Sequence, residues 1–144
     1  MGIRRQAREC ALQMLYQLDL SGLAAREVIR RFWEVSEAAP EVRAFAQSVV
    51  EGVAGQLDGI DERISAHSTN WKVSRMAAVD KNILRMAVYE LTSCPDIPVK
   101  VTINEAVEIA KRFGSAESGA FVNGILDNIA REISKQAEGE EPDA

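Results

Sequence analysis

Apolar residues recur at every third or fourth position along almost the whole chain, and the strict alternation that a half-buried strand needs is nearly absent. A period of 3.6 aligns one face of a helix against a core, so this pattern confines the chain to an all-helical fold. Breakers divide it into seven segments. The first runs over about 3–20 and stops at Ser21-Gly22; the second, over about 24–37, carries Val28, Ile29, Phe32 and Val35 on one side. Pro40 suits the first turn of a third helix, whose stripe of Val42, Phe45, Ala46, Val49, Val50, Val53 and Leu57 fits the centre of a bundle. Asp58 can cap a short fourth helix ending near His67, and Ser74 a fifth over about 75–93. Pro95 and Pro98 then force a loop. Thr102-Ile103-Asn104-Glu105 reads as a capping box, which starts the sixth helix after Thr102 and ends it at Phe113, with Gly114 available for the C′ position. Ser115 can cap the seventh, over about 116–135. The expected architecture is a compact bundle of about seven helices forming one domain over residues 1–135.

Charge is unevenly placed. The chain carries −5 overall, yet Arg4, Arg5 and Arg8 fall in its first eight residues with no acid before Glu9. The last nine residues, 136–144, hold four acids and no base. With Gly139 and Pro142 they read as an acidic disordered tail whose plain role is solubility. Cys10 and Cys94 stand far apart, without a CxxC, and His67 is the only histidine. The common zinc sites are thereby excluded, and a Cys–His dyad or catalytic triad lacks its parts. Free thiols without a signal peptide point to the cytoplasm, and no apolar run approaches the ~18 residues of a membrane span. Gly52, Gly55 and Gly59 lack the strand and lysine of a phosphate loop.

The arginines ride on the first turns of a helix, where the dipole disfavours cations by a few tenths to about 1 kcal/mol. Helix stability does not ask for them; a phosphate-bearing partner would, although a solvated terminus accounts for them equally well. On the same helix Ile3, Ala7, Cys10, Met14 and Leu18 share a core face, while Leu12, Tyr16 and Leu20 make a second apolar stripe. That stripe fits either a helix buried on both sides or a docking surface. In the fifth helix Asp80 and Glu90 point into an apolar arc. Ten residues separate them by ~15 Å, too far for a catalytic carboxylate pair at ~5–9.5 Å. Each is expected to pair with a base from another helix, with a protein interface as a further option at Asp80. Phe121, beside Glu117 at the start of the last helix, fits a partly buried core position or a platform for stacking a nucleobase. Gly119 and Gly124 each cost ~1 kcal/mol in a helix and permit close approach of another helix or a ligand. Trp33, Trp71, Phe32 and Phe113 read as core.

Three segments carry a resemblance: Arg4 through Tyr16 (RRQARECALQMLY), Trp71 through Leu91 (WKVSRMAAVDKNILRMAVYEL) and Val101 through Leu126 (VTINEAVEIAKRFGSAESGAFVNGIL). Together they resemble the NusB family of bacterial transcription antitermination factors. The resemblance spans nearly everything except the tail. It implies two packed helical subdomains, no catalysis and no cofactor or metal. It implies binding to boxA, a uridine-rich single-stranded RNA element of nascent ribosomal RNA leaders, and pairing with the ribosomal protein NusE within an RNA polymerase antitermination complex. Carried over by position, the RNA-contact motif falls on Arg4, Arg5, Arg8, Gln13, Glu117, Ser118 and Phe121, and the partner-docking positions on Tyr16, Leu20 and Asp80. The family often has aspartate where this chain has Glu117.

The resulting expectation is a non-enzymatic adaptor. Its arginines neutralise phosphates, Phe121 stacks a base, and the first helix lies beside the opening turn of the last to make one groove. Two alternatives have other origins. The same fold resembles the N-terminal domain of a ribosomal RNA cytosine methyltransferase, which would need a methyl-donor domain that these 144 residues do not supply. A protein-only scaffold would use the Leu12/Tyr16/Leu20 stripe, which a homodimer can also cover.

Overall fold

The computed structural model describes residues 2–68 and 72–140, so Trp71 and the end of the tail lie outside the described residues. Among them all regular structure is helical: α1 (Ile3–Ser21), α2 (Ala25–Val35), α3 (Pro40–Gly55), α4 (Leu57–Ala66), a 3-10 turn (Val73–Arg75), α5 (Ala78–Ser93), α6 (Val99–Phe113) and α7 (Ser118–Glu140). Gly22 ends α1 in the left-handed conformation, φ 70°, with its N–H donating to the Leu18 carbonyl. That conformation is nearly free of cost only for glycine. Pro40 opens α3 at its first turn, where the missing N–H costs nothing.

Three boundaries depart from expectation. Ser74 belongs to the 3-10 turn rather than capping α5, which starts at Ala78. The Thr102–Glu105 capping box does not form, because α6 begins a turn earlier. Pro98 supplies the carbonyl that accepts from the N–H groups of Val101 and Thr102. Thr102 is thus buried inside the helix and its hydroxyl donates to Glu90, while Glu105 pairs with Arg5. Finally, α7 starts at Ser118 and continues to Glu140, five residues into the segment expected to be disordered. Residues 134–138, Ser-Lys-Gln-Ala-Glu, are mostly good helix formers and extend it.

Helices α1, α2 and α3 pack as one group and α4 to α7 as another, and α5 forms the seam by packing on α1 and α3. Ala7, Ala11, Met14 and Leu15 of α1 meet Val49 and Val50 of α3 and Ile83, Leu84 and Met86 of α5 in one continuous core. The seam also holds charge. The Arg85 guanidinium donates to both Asp61 oxygens at 2.8 Å and to Asp19 at 3.4 Å, and Lys81 pairs with Asp19 at 2.8 Å. Phe32 is buried and Trp33 packs edge-on against it, but Phe113 is 42% exposed and does not join the core.

Candidate functional site

The three amino-terminal arginines meet different fates. Arg4 is exposed and its guanidinium lies 4.0 Å from the centre of the Phe45 ring on α3. It has no carboxylate partner among the described residues. Arg5 is half-buried and pairs with Glu105 of α6, a hydrogen bond that raises its pKa further. Arg8 is buried: Nε donates to Glu90 Oε2 at 2.9 Å and Nη2 to Oε1 at 2.7 Å, with the Phe45 ring 5.6 Å away. So enclosed, at 2% exposure, Arg8 fixes α1 against α5, and the amino-terminal guanidinium left on the surface is that of Arg4. Glu90 therefore has the basic partner expected of it.

Helix α6 connects α1 to α7. Arg5 reaches Glu105 and, one turn on, Glu9 accepts from Arg112 at 2.8 Å, so α1 and α6 run parallel here. The next turn of this α1 face carries Gln13, which is exposed. On its other side α6 meets α7 closely: a Cβ on Gly119 would stand 3.2 Å from the Lys111 side chain. That accounts for Gly119, whereas Gly124 faces open space and no close approach explains it.

The junction itself is tight. Ser118 Oγ accepts from the Ser115 backbone N–H at 2.9 Å and lies 3.2 Å from Ser115 Oγ, and Ser115 Oγ donates to Glu117 at 3.3 Å. Gly114 is extended rather than left-handed; what it supplies is room, because a Cβ there would fall 2.3 Å from Ser118 Oγ. Ser118 is thus a buried brace for this turn. Ser115 contributes to that brace instead of capping the helix from its expected place.

Beside the brace opens a cleft of about 280 Å³, lined by Arg75, Met76, Ala77 and Asp80 from the entry to α5 and by Ser115, Glu117, Ser118 and Phe121 from the start of α7. Phe121 is half-buried, with part of its ring on the core and part on the cleft. The second wall of this cleft is the entry to α5, and α1 does not line it. Asp80 also departs from expectation: it has no basic partner, and its buried Oδ1 lacks a hydrogen bond among the described residues. Arg75, Met76 and Ala77 are not marked in the sequence, because the periodicity there reads as a regular helix from Ser74, whereas a 3-10 turn brings them to the cleft.

Farther along α1, Leu12 is buried, whereas Tyr16 and Leu20 emerge 39% and 68% exposed. They border a shallow groove with Leu23, Val28 and Arg31. At 100° per residue Arg5, Glu9, Gln13, Tyr16 and Leu20 lie within an arc of about 80°, a stripe that faces α6 through its ion pairs at Arg5 and Glu9 and emerges exposed at Gln13, Tyr16 and Leu20.

Burial pushes the Cys10 and Cys94 thiols up, away from the reactive thiolate form. Among the described residues no three of His, Cys, Asp and Glu cluster to hold a metal, and no helix is long and apolar enough to cross a membrane.

Known proteins share this arrangement. The transcription antitermination protein NusB of Sorangium cellulosum is 50% identical over 135 residues, covering 94% of this chain and 96% of that protein. That of Myxococcus xanthus is 47% identical over 139 residues, covering 94% and 99%. Among solved structures, NusB of T. maritima superposes with a TM-score of 0.82 at 38% identity, covering 90% of this chain and 91% of that one. A chain from a crystal of the antitermination factors NusB and NusE with double-stranded RNA gives 0.83 at 26% identity, covering 92% and 98%. Residues 5–131 match the NusB family, and with relatives this similar along nearly their whole length, the chain belongs to it.

Proposed function

We propose that this protein is a non-catalytic, cytoplasmic transcription antitermination factor. In this reading it binds boxA-type single-stranded RNA of ribosomal RNA leaders together with NusE and joins the RNA polymerase antitermination complex. The observation that carries the reading is Phe121, held half out of the core at the mouth of the α5–α7 cleft. A ring so placed offers an uncovered face on which one unpaired base can stack. Glu117, exposed at the cleft rim, and Gln13 offer polar atoms to base edges and sugar hydroxyls. Arg4 and Arg5 supply positive charge at the start of α1, with Arg8 and Ser118 acting as supports beneath them. Tyr16 and Leu20 form the apolar part of the docking surface for NusE. Asp80 belongs to the same partner-binding set, its unpaired carboxylate suited to a donor carried by NusE. Membership of the family and the solved NusB–NusE–RNA assembly of a relative support the pairing of these two ligands.

The test is fluorescence anisotropy with a labelled uridine-rich boxA oligomer, with and without NusE. Phe121→Ala is expected to weaken RNA binding by the 1–3 kcal/mol typical of one stacked base, roughly 5- to 150-fold, and to leave NusE binding unchanged. Equal RNA affinity for Phe121→Ala and wild type would remove the reading.

A further inference from the structure

The cleft contains one cation that the family motif does not include. Arg75 closes the 3-10 turn before α5, is exposed, and lines the cleft opposite Phe121. Its backbone N–H donates to the Lys72 carbonyl at 2.9 Å, but its guanidinium has no hydrogen-bond or ion-pair partner among the described residues. That sets it apart from Arg5 and Arg8, held by Glu105 and Glu90, and from Arg112, held by Glu9. Its neighbours in the cleft are Asp80 and Glu117, yet it pairs with neither. Two carboxylates at the mouth of a cleft repel a polyanion, so RNA entering there requires a local positive charge. With Arg8 enclosed, the amino-terminal cluster cannot provide all of it.

Building on the proposed reading of Phe121, we infer that Arg75 binds the RNA backbone phosphate next to the base stacked on that ring. Arg75 lines the cleft from the turn that enters α5 and Phe121 from the start of α7, so a nucleotide bound there could place its base on the ring and its phosphate toward the guanidinium. Arg75 adds affinity and salt dependence without reading sequence. It also gives this chain a contact surface in the cleft that does not depend on α1.

The experiment compares salt titrations of boxA oligomer binding for wild type, Arg75→Ala, Arg75→Lys and Phe121→Ala. One phosphate contact on a single strand contributes about −0.7 to the slope of log K against log salt. Arg75→Ala is expected to make the slope shallower by about 0.7 and to weaken binding about five-fold at 0.1 M salt. Arg75→Lys should keep the slope, because a point charge suffices for phosphate. Exposure of Arg75 keeps folding out of the comparison. An unchanged slope in Arg75→Ala, with Phe121→Ala still weakened, overturns the inference and leaves the function standing. Wild-type RNA binding in both variants removes the two together. Loss of NusE binding in Arg75→Ala with RNA binding intact reassigns the residue to the protein partner and overturns the inference as well.

Discussion

Removing Arg8 from its pair with Glu90 separates a structural arginine from an RNA-binding one. The two side chains are 3% and 2% exposed, and the pair is bidentate. Without Arg8 the only other hydrogen bond on the Glu90 carboxylate among the described residues is a 3.3 Å bond from the Thr102 hydroxyl. Taking one partner from a buried ion pair costs about 3–5 kcal/mol, because the remaining charge stays desolvated and unpaired. For a domain with a total stability of about 5–15 kcal/mol that is a large fraction. At roughly 4 °C per kcal/mol for a chain of this size, Arg8→Ala should melt about 12–20 °C below wild type. Urea unfolding followed by circular dichroism measures the same loss. Arg8→Lys keeps the charge and loses the fork, so it should fall between. The pair itself is a poor source of net stability: Arg8→Met with Glu90→Leu should recover most of the loss, since well-packed apolar replacements of buried pairs are often neutral or better. Where the double variant folds, its salt slope for RNA should match wild type. A destabilisation under 1 kcal/mol in Arg8→Ala, or a slope lowered by 0.7 in the double variant, would refute this assignment and return Arg8 to the RNA-binding surface.

Three further outcomes follow from the geometry. Leu20→Glu should leave unfolding unchanged, because the residue is 68% exposed, and weaken NusE binding at least ten-fold by calorimetry; unaltered binding would remove α1 from the docking surface. Asp19 is pushed up by burial, but its hydrogen bonds and proximity to Lys81 and Arg85 outweigh that and hold it below the ordinary carboxylate range. A depressed folded pKa contributes stability above the unfolded value, about 3.9, which is lost as pH falls through the folded value. Asp19→Asn should therefore flatten the acid limb of the stability curve, and parallel loss with wild type between pH 5 and 2 would contradict the pairing. Gly114→Ala puts a Cβ 2.3 Å from Ser118 Oγ and 2.8 Å from the Ala110 carbonyl and should destabilise by about 1–3 kcal/mol, whereas Gly124→Ala meets nothing within 4 Å and should stabilise by up to about 1 kcal/mol. Equal melting temperatures for these two variants would contradict the brace at the α6–α7 junction.

The helices were legible because each has a local cause: periodic apolar positions, Pro40 at an entry, Gly22 at an exit. What escaped depends on contacts distant in sequence. Thr102 and Glu105 satisfy the capping-box pattern, yet Glu90 and Arg5 claim their side chains from other helices, and Pro98 starts α6 first. Arg8 looks the same in sequence as Arg4. Only the fold encloses one and leaves the other on the surface over Phe45. Similarly, Asp80 and Glu90 occupy one helical arc, but α1 brings a base to Glu90 alone. Periodicity gives the face of a residue; its partner depends on the packing of other helices.

That packing also bears on how two ligands would cooperate on the proposed surface. Helix α1 is tied to α5 near both ends, by Arg8–Glu90 and by Asp19 with Lys81 and Arg85. Between these ties its inner face is closed by Ala11, Met14 and Leu15. A rod held in this way offers little freedom for a partner to reorient it. The exposed part of its α6-side stripe nevertheless passes from Gln13 to Tyr16 and Leu20, and Gln13 and Tyr16 are only about 4.5 Å apart along the axis. NusE seated on the apolar end would stand within one turn of RNA held at the polar end. Cooperation in the proposed complex then arises from an added wall of contacts beside the RNA, with the helix serving as a fixed ruler between the two sites.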